Sequence, residues 1–295
     1  MGQTVDPERD GAPDAMAGES TSGGDDNTLS PDDEDGLEKP AMIFAGEKTT
    51  FKVDVVNTTG NPAYLYAFVD WNNDGDFDDE SETANAVINS STNDVELMFV
   101  VPDNNTTVLY TPLAVRLRLG SIEGQVSSPT GLAVNGEIED YQVEVKGLDY
   151  GDLPDILSGV STNDYQTIDE NNGPRHGVPE NPLVFFGEKV DVDNDGQPDL
   201  GAGEDGTDGD DGDGMDDEDG VMAPPMIFRG EEATFNVELM ITNNSDEPAY
   251  VYGFIDWNAD GVLSTNPADN EIVGITVPGG SGTVTETLTF DVPLG

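Results

Sequence analysis

Two eight-residue phrases in this chain are near-copies of each other. Phe68-Val69-Asp70-Trp71-Asn72-Asn73-Asp74-Gly75 returns as Phe254-Ile255-Asp256-Trp257-Asn258-Ala259-Asp260-Gly261. The duplication extends well beyond them. Residues 2–6 match 187–191, 32–36 match 216–220, 42–44 match 226–228, and 61–64 resemble 247–250, at an offset of about 185 residues. A chain that repeats itself over such a period is built from copies of one module. The fold of that module must therefore account for most of the 295 residues.

Alternation with period two predicts strands at 41–44, 49–57, 63–71, 94–101, 113–119 and 136–145. Phe51, Val53 and Val55 share one face, as do Leu113, Val115, Leu117 and Leu119, which leaves Arg116 and Arg118 on the other. Thr59-Gly60-Asn61-Pro62 and Pro102-Asp103-Asn104 mark turns. No convincing amphipathic helix is present. The expected fold is all-β: tandem Greek-key, immunoglobulin-like β-sandwich modules joined by acidic, loop-rich, calcium-binding connectors. The expected boundaries are a connector at 1–36 (a partial repeat), a sandwich at 37–147, a second connector at 148–220, and a second sandwich at 221–295. One strand, 182–190, is expected within the second connector.

The phase of the repeat is uneven. The second copy has no counterpart of 113–119 or 136–145, so its sandwich is expected to be incomplete, with exposed sheet edges and an open core. Either the chain is an excerpt from a longer array or a neighbouring chain supplies the missing strands, beside 283–292.

Charge narrows the partners. There are 62 acidic and 10 basic residues, a formal charge of −52. Such a chain repels nucleic acid and anionic membrane surfaces, so neither is expected as a partner. No apolar run approaches the ~20 residues of a membrane span. With no cysteine, disulfides, zinc-thiolate sites and thiol nucleophiles are excluded. The acids gather in Gly-rich stretches instead of spreading over the strands, which favours local metal sites.

Those sites follow the spacing of calcium loops, in which alternate oxygen ligands precede a glycine that allows the sharp turn. Asp70, Asn72, Asp74, Asp76 and Asp78 occupy positions one, three, five, seven and nine of such a loop. Position twelve is Ser81, with Glu80 or Glu82 as substitutes. The partner loop offers Asp256, Asn258 and Asp260. In the connectors, Asp191, Asp193, Asp195 and Asp199 surround Gly196, and Asp6, Glu8, Asp10 and Asp14 repeat the pattern around Gly11. Asp216, Asp217 and Asp219 could add ligands. Ca2+ is the expected ion. Trp71 and Trp257 directly follow the first ligand of each loop and are expected to pack inward. His176, the only histidine, is expected in a structural role beside Arg175. No nucleophile elbow, zinc-protease helix motif or P-loop occurs, and no catalytic residue is assigned.

Gly136-Glu137-Ile138-Glu139-Asp140-Tyr141 closely matches the signature that names the GEVED-domain family, with Ile for Val. The Asp-Trp-Asn-x-Asp-Gly phrase, the opening Asp149-Tyr150-Gly151-Asp152-Leu153-Pro154-Asp155 and the Arg175-His176 element are similar to tandem bacterial surface proteins that carry this domain. The resemblance covers nearly the whole chain. It implies a secreted or surface-attached bacterial protein with a β-sandwich fold and no common catalytic activity. The expected function is a non-enzymatic, calcium-stabilised repeat of an extracellular stalk, adhesin or filament, whose partners are calcium and adjacent modules or identical subunits. The alternatives are a glycan-binding adhesin using Tyr64, Tyr66, Tyr250 or Tyr252, and an accessory segment of a secreted hydrolase.

Overall fold

In strand β3 (Lys48–Val55) Phe51, Val53 and Val55 point inward while Lys48, Lys52 and Asp54 face solvent, the alternation that a half-buried strand requires. β3 is the centre of a three-stranded sheet with β1 (Leu37–Glu38) on one side and β6 (Thr92–Val100) on the other. A second sheet runs β5-β4-β7-β8, formed by β4 (Ala63–Val69), β5 (Thr83–Ile88), β7 (Leu113–Gly120) and β8 (Glu137–Val143), all antiparallel. The computed structural model describes residues 35–89, 92–155, 164–194, 196, 218–222 and 234–293. The chain divides into two compact units, Met1–Gly147 and Leu148–Gly295.

In the first unit, the two sheets share one core. Phe51, Val53, Leu97 and Phe99 from the first sheet meet Leu65, Val69, Trp71, Leu113 and Leu117 from the second, a β-sandwich-like arrangement. Each fully buried large side chain contributes about 1.5–3 kcal/mol. β2 (Ile43–Phe44) pairs in parallel with the start of β9 (Val145–Tyr150), Ile43 opposite Val145. The expected strand 136–145 is thus two strands, β8 and β9, broken at Glu144. β5 went unread in the sequence because Thr83-Ala84-Asn85-Ala86 offers small and polar residues on an edge paired only with β4. One four-residue helix, Glu123–Val126, lies within the β7–β8 connection.

The second unit repeats part of this plan. β12 (Thr234–Asn243) lies between β11 (Val184–Phe186) and β15 (Gly282–Asp291), and β13 (Ala249–Phe254) pairs with β14 (Ile272–Val277). Phe235, Leu239, Ile241, Val251, Leu288 and Phe290 form its core. β11 falls inside the expected connector, yet it hydrogen-bonds into the sheet of the second unit, Phe186 opposite Ile241. Before it come a 3-10 turn, Asp169–Asn171, and β10 (Arg175–Val178). In this loop-rich stretch buried carboxylates accept backbone N–H groups. Asp155 accepts N–H bonds from Thr167 and Ile168 and from the Asn171 amide. Desolvation is the largest single influence and raises its carboxyl, but the three donors together outweigh it and hold the group below its ordinary value.

Both units tie the turn after their first long strand with one buried amide. Asn57 Nδ2 donates to the carbonyls of Asn61 and Ile88, and Asn243 Nδ2 to those of Glu247, Val277 and Pro278. Satisfying several backbone carbonyls from one side chain lets the turn sit against the core without orphaned acceptors.

Candidate metal centre

β4 delivers the chain into the first acidic loop and β5 takes it away. The loop is a series of side-chain-to-backbone hydrogen bonds. The two Asp70 oxygens accept from the N–H groups of Asp74 at 3.1 Å and Gly75 at 3.0 Å. Asn72 Oδ1 accepts from Asp74 N–H, Asp74 Oδ1 from Asp76 N–H and Asp76 Oδ1 from Asp78 N–H, each within 3.1 Å. These are successive Asx turns, the reason aspartate and asparagine recur at every second position. Gly75, at φ 93°, takes the left-handed turn without a side-chain penalty.

Glu82 closes the loop from the far side. Its Oε1 accepts from Trp71 N–H and its Oε2 from Asp79 N–H, both at 3.1 Å, and the side chain is buried. Trp71 turns the other way. Its indole is buried edge-on to Phe99, with ring centres 5.8 Å apart, and its Nε1–H donates to the Ser81 carbonyl. The tryptophan thus anchors the loop to the core while Asp74, Asp76, Asp78 and Asp79 are exposed.

Asp74, Asp76 and Asp79 each place a carboxylate oxygen within 4.8 Å of the other two. Asn72 Nδ2 donates to Asp79 Oδ2 at 2.6 Å and to Asp74 Oδ2 at 3.2 Å. Asp78, expected at position nine, lies outside this trio, whereas Asp79 belongs to it. Between Asp76 and Asp78, the half-buried Phe77 packs on Phe68, with ring centres 5.9 Å apart. Among the described residues no lysine or arginine forms an ion pair with these acids. Burial raises the Glu82 carboxyl above its ordinary value, its two N–H donors pull it back, and Asp70 and Asp79 push it further up. An all-oxygen, carboxylate-rich set of this kind fits a hard divalent cation. Asp74, Asp76 and Asp79 would hold it, with Asp70 shaping the loop around it.

The second loop copies the frame with fewer acids. Asp256 accepts from the N–H groups of Asp260 and Gly261, Asn258 from Asp260 N–H and Asp260 from Val262 N–H. Buried Glu271 plays the part of Glu82, accepting from Ser264 N–H, and Trp257 Nε1–H donates to the Asn270 carbonyl. Ala259 and Gly261 repeat the positive φ of Asn73 and Gly75. Among the described residues the second loop gathers no trio of carboxylates. Tyr165 donates its hydroxyl to Asp256 at 3.1 Å instead.

Of the connector residues, Asp193 is buried and accepts from Tyr150 N–H, and Asp191 is half-buried. Asp219 accepts from Glu188 N–H, against Gly187, where a Cβ would collide with its carboxylate. Asp6, Glu8, Asp10, Asp14, Asp195, Asp199, Asp216 and Asp217 lie outside the described residues. His176 is exposed on β10, and Arg175 lies over the Tyr150 ring at 5.9 Å. Residue-type spacing marked both loops. It missed Asp79, because the carboxylate that falls beside Asp74 and Asp76 depends on the path of the loop backbone and not on residue spacing. It also missed Glu271, which stands fifteen residues beyond Asp256, past a 3-10 turn at Pro267–Asp269.

Hydrogen bonds show a structural role for the last three residues of the hexapeptide at 136–141. Asp140 binds Arg116 through both carboxylate oxygens, at 2.7 and 2.5 Å. Tyr141 Oη accepts from Gly36 and Leu37 N–H and donates to buried Glu139. Arg118 donates to the carbonyls of Ser128, Thr130 and Gly131, and so pins the β7–β8 connection.

Residues 64–144 match the GEVED domain family. The span begins at the second residue of β4, takes in the first acidic loop and ends one residue after β8. No curated protein and no solved structure matches the chain.

Proposed function

We propose, from the premise that residues 64–144 form a GEVED domain, that this chain is a non-enzymatic, calcium-stabilised structural repeat of a bacterial extracellular stalk, adhesin or filament. The observation that carries the reading is the first acidic loop. There a trio of carboxylates with no cationic partner among the described residues sits on a frame of Asx turns, above a buried glutamate. Calcium is hard, takes oxygen ligands and tolerates irregular geometry, which suits such a loop. Four of the buried acids, Asp70, Glu82, Asp155 and Glu271, accept backbone N–H bonds, a structural use of carboxylates. The cysteine-free composition agrees with a chain that relies on ions in place of disulfides. We read the first unit as an immunoglobulin-like Greek key, because its connections pass repeatedly between the β3 sheet and the β4 sheet.

The test is thermal melting in calcium and in chelator, beside the bound-metal content of the protein. A ligand at a hundred times its Kd adds about 2.7 kcal/mol to the state that binds it. The calcium-dependent rise in melting temperature should vanish in the double variant Asp74→Asn/Asp76→Asn, whose side chains are exposed. Equal melting of the wild type in both conditions refutes the reading.

One observation favours the glycan-binding alternative. Tyr250, Tyr252 and Phe254 form an exposed row along one face of β13. Glycan-array binding that is lost in Tyr252→Ala would establish it.

A further inference from the structure

Asparagine or aspartate followed by glycine is prone to react with itself. The glycine nitrogen attacks the side-chain carbonyl before it, and the missing Cβ leaves its approach unhindered. This chain is rich in such pairs, because its acidic loops set aspartate before glycine. In most of the described pairs the fold occupies the attacking nitrogen. Gly75 N–H is donated to Asp70 Oδ2, Gly261 N–H to Asp256 Oδ2, Gly36 N–H to Tyr141 Oη, and Gly173 N–H to the Ile168 carbonyl. An N–H held in this way must give up its acceptor before the nitrogen can react. In Asp219-Gly220 the carboxylate is held by Glu188 N–H, and Gly220 is buried.

Asn135-Gly136 differs. Both residues are exposed, and among the described residues the Gly136 N–H has no acceptor. The amide oxygen, by contrast, is gripped by two donors: Ser121 N–H reaches Asn135 Oδ1 at 3.1 Å and Ser121 Oγ reaches it at 2.8 Å. Ring closure puts negative charge on that oxygen, so the donors already stand where the oxyanion forms. Nor can the glycine be exchanged. Its positive φ and its close approach to the Leu119 carbonyl exclude a side chain. The turn into β8 therefore forces a glycine behind this asparagine.

We propose that Asn135 is a self-modification site of the folded protein, deamidated through a succinimide. The Gly136 nitrogen, its proton taken by hydroxide, bonds to Asn135 Cγ and drives the carbonyl electron pair onto Oδ1. The pair returns, the bond from Cγ to Nδ2 breaks, and ammonia leaves with a proton from water, which restores the hydroxide. Water then opens the ring at either carbonyl. The residue becomes aspartyl, or isoaspartyl where the main chain runs through Cγ. Water is the co-reactant, and no oxidation state changes. Either product adds a negative charge. The isoaspartyl form also lengthens the main chain at the entry to β8, where Gly136 has no room against Leu119, and so loosens the pairing of Leu119 with Glu137. None of these steps involves the acidic loops or an ion.

The 295-residue protein is incubated at mildly alkaline pH in heavy-oxygen water and mapped at intervals by peptide mass spectrometry. Asn135 should lose ammonia and gain a heavy oxygen atom at least about tenfold faster than Asn172, the asparagine before hydrogen-bonded, buried Gly173. In denaturant the two Asn-Gly pairs should react at similar rates, which assigns the difference to the fold. Ser121→Ala removes one of the two donors and should slow the reaction of Asn135 severalfold; amide exchange along β7 and β8 checks that the variant keeps its fold. The isoaspartyl product should exchange amides faster than the parent at 119–121 and 136–138. Three results each overturn the proposal: Asn135 intact in the folded protein over a period that converts the denatured chain, Asn172 reacting as fast as Asn135 in the folded protein, or a Ser121→Ala rate equal to or above that of the wild type.

Discussion

Gly136 shows at the scale of one residue why the hexapeptide that begins with it reads as it does. Its φ is 108°, and a Cβ there would lie 1.7 Å from the Leu119 carbonyl oxygen. Only glycine lets the chain turn into β8 while the backbone of β7 passes so close. Gly60 also has positive φ, 74°, but a Cβ there meets nothing within 4 Å. The pair separates backbone strain from steric collision. Gly60→Ala is expected to cost about 1 kcal/mol, and Gly136→Ala about 3 kcal/mol or more, read from denaturant midpoints. Equal costs would show that the close approach to Leu119 does not govern the position. Tyr141 adds a second residue-scale device. Its buried hydroxyl joins two backbone donors to Glu139, and desolvation, followed by the charge of Glu139, pushes its own ionisation well above the ordinary tyrosine range. It acts at all ordinary pH values as a neutral hydrogen-bond junction.

At the scale of elements, the loop between β4 and β5 is held by Glu82, and its chemistry gives a pH signature. Desolvation raises the folded-state pKa of Glu82 above the ordinary 4.5, with Asp70 and Asp79 adding to the rise and the two N–H donors opposing it. For an acid shifted this way the fold favours the protonated form. Its contribution is complete below the unfolded value and is lost as pH rises through the folded one. A bound cation reverses the preference, because it favours the carboxylate. In chelator, the stability of the wild type relative to Glu82→Gln should therefore fall as pH rises from the ordinary carboxylate range towards neutrality. Any fixed hydrogen-bond cost of the glutamine cancels from that trend. With calcium the trend should flatten or reverse. A difference that stays constant with pH in chelator would remove Glu82 from the electrostatics of the loop. β7 and its connection behave as a second element-scale unit: Arg116 binds Asp140 and Arg118 gathers three carbonyls, so the outward face of a core strand organises the loop above it.

For the whole molecule, the two units differ in how completely they enclose their cores. The first buries Trp71 and Val69 fully, whereas the second leaves Trp257 and Ile255 half-buried. Calorimetry in chelator should resolve two transitions, the lower one belonging to Leu148–Gly295 and identified by the fluorescence of Trp257 in a Trp71→Phe background. Each kcal/mol of difference separates the midpoints by about 2–4 °C. A single cooperative transition would contradict this. By itself the sequence determined the module repeat, the strands with strict alternation such as β3, β6 and β7, and the positions of both acidic loops. These are local properties, written in period-two patterning and in the spacing of oxygen-bearing side chains around a glycine. Tertiary structure alone decided that Asp79 stands beside Asp74 and Asp76, that Glu271 closes the second loop, and that β11 pairs with β12 in the sheet of the second unit. Each of those depends on which backbone lies beside which, and on packing between residues far apart in the chain, such as Trp71 against Phe99 and Gly136 against Leu119. Contacts of that kind leave no periodic trace in the order of amino acids.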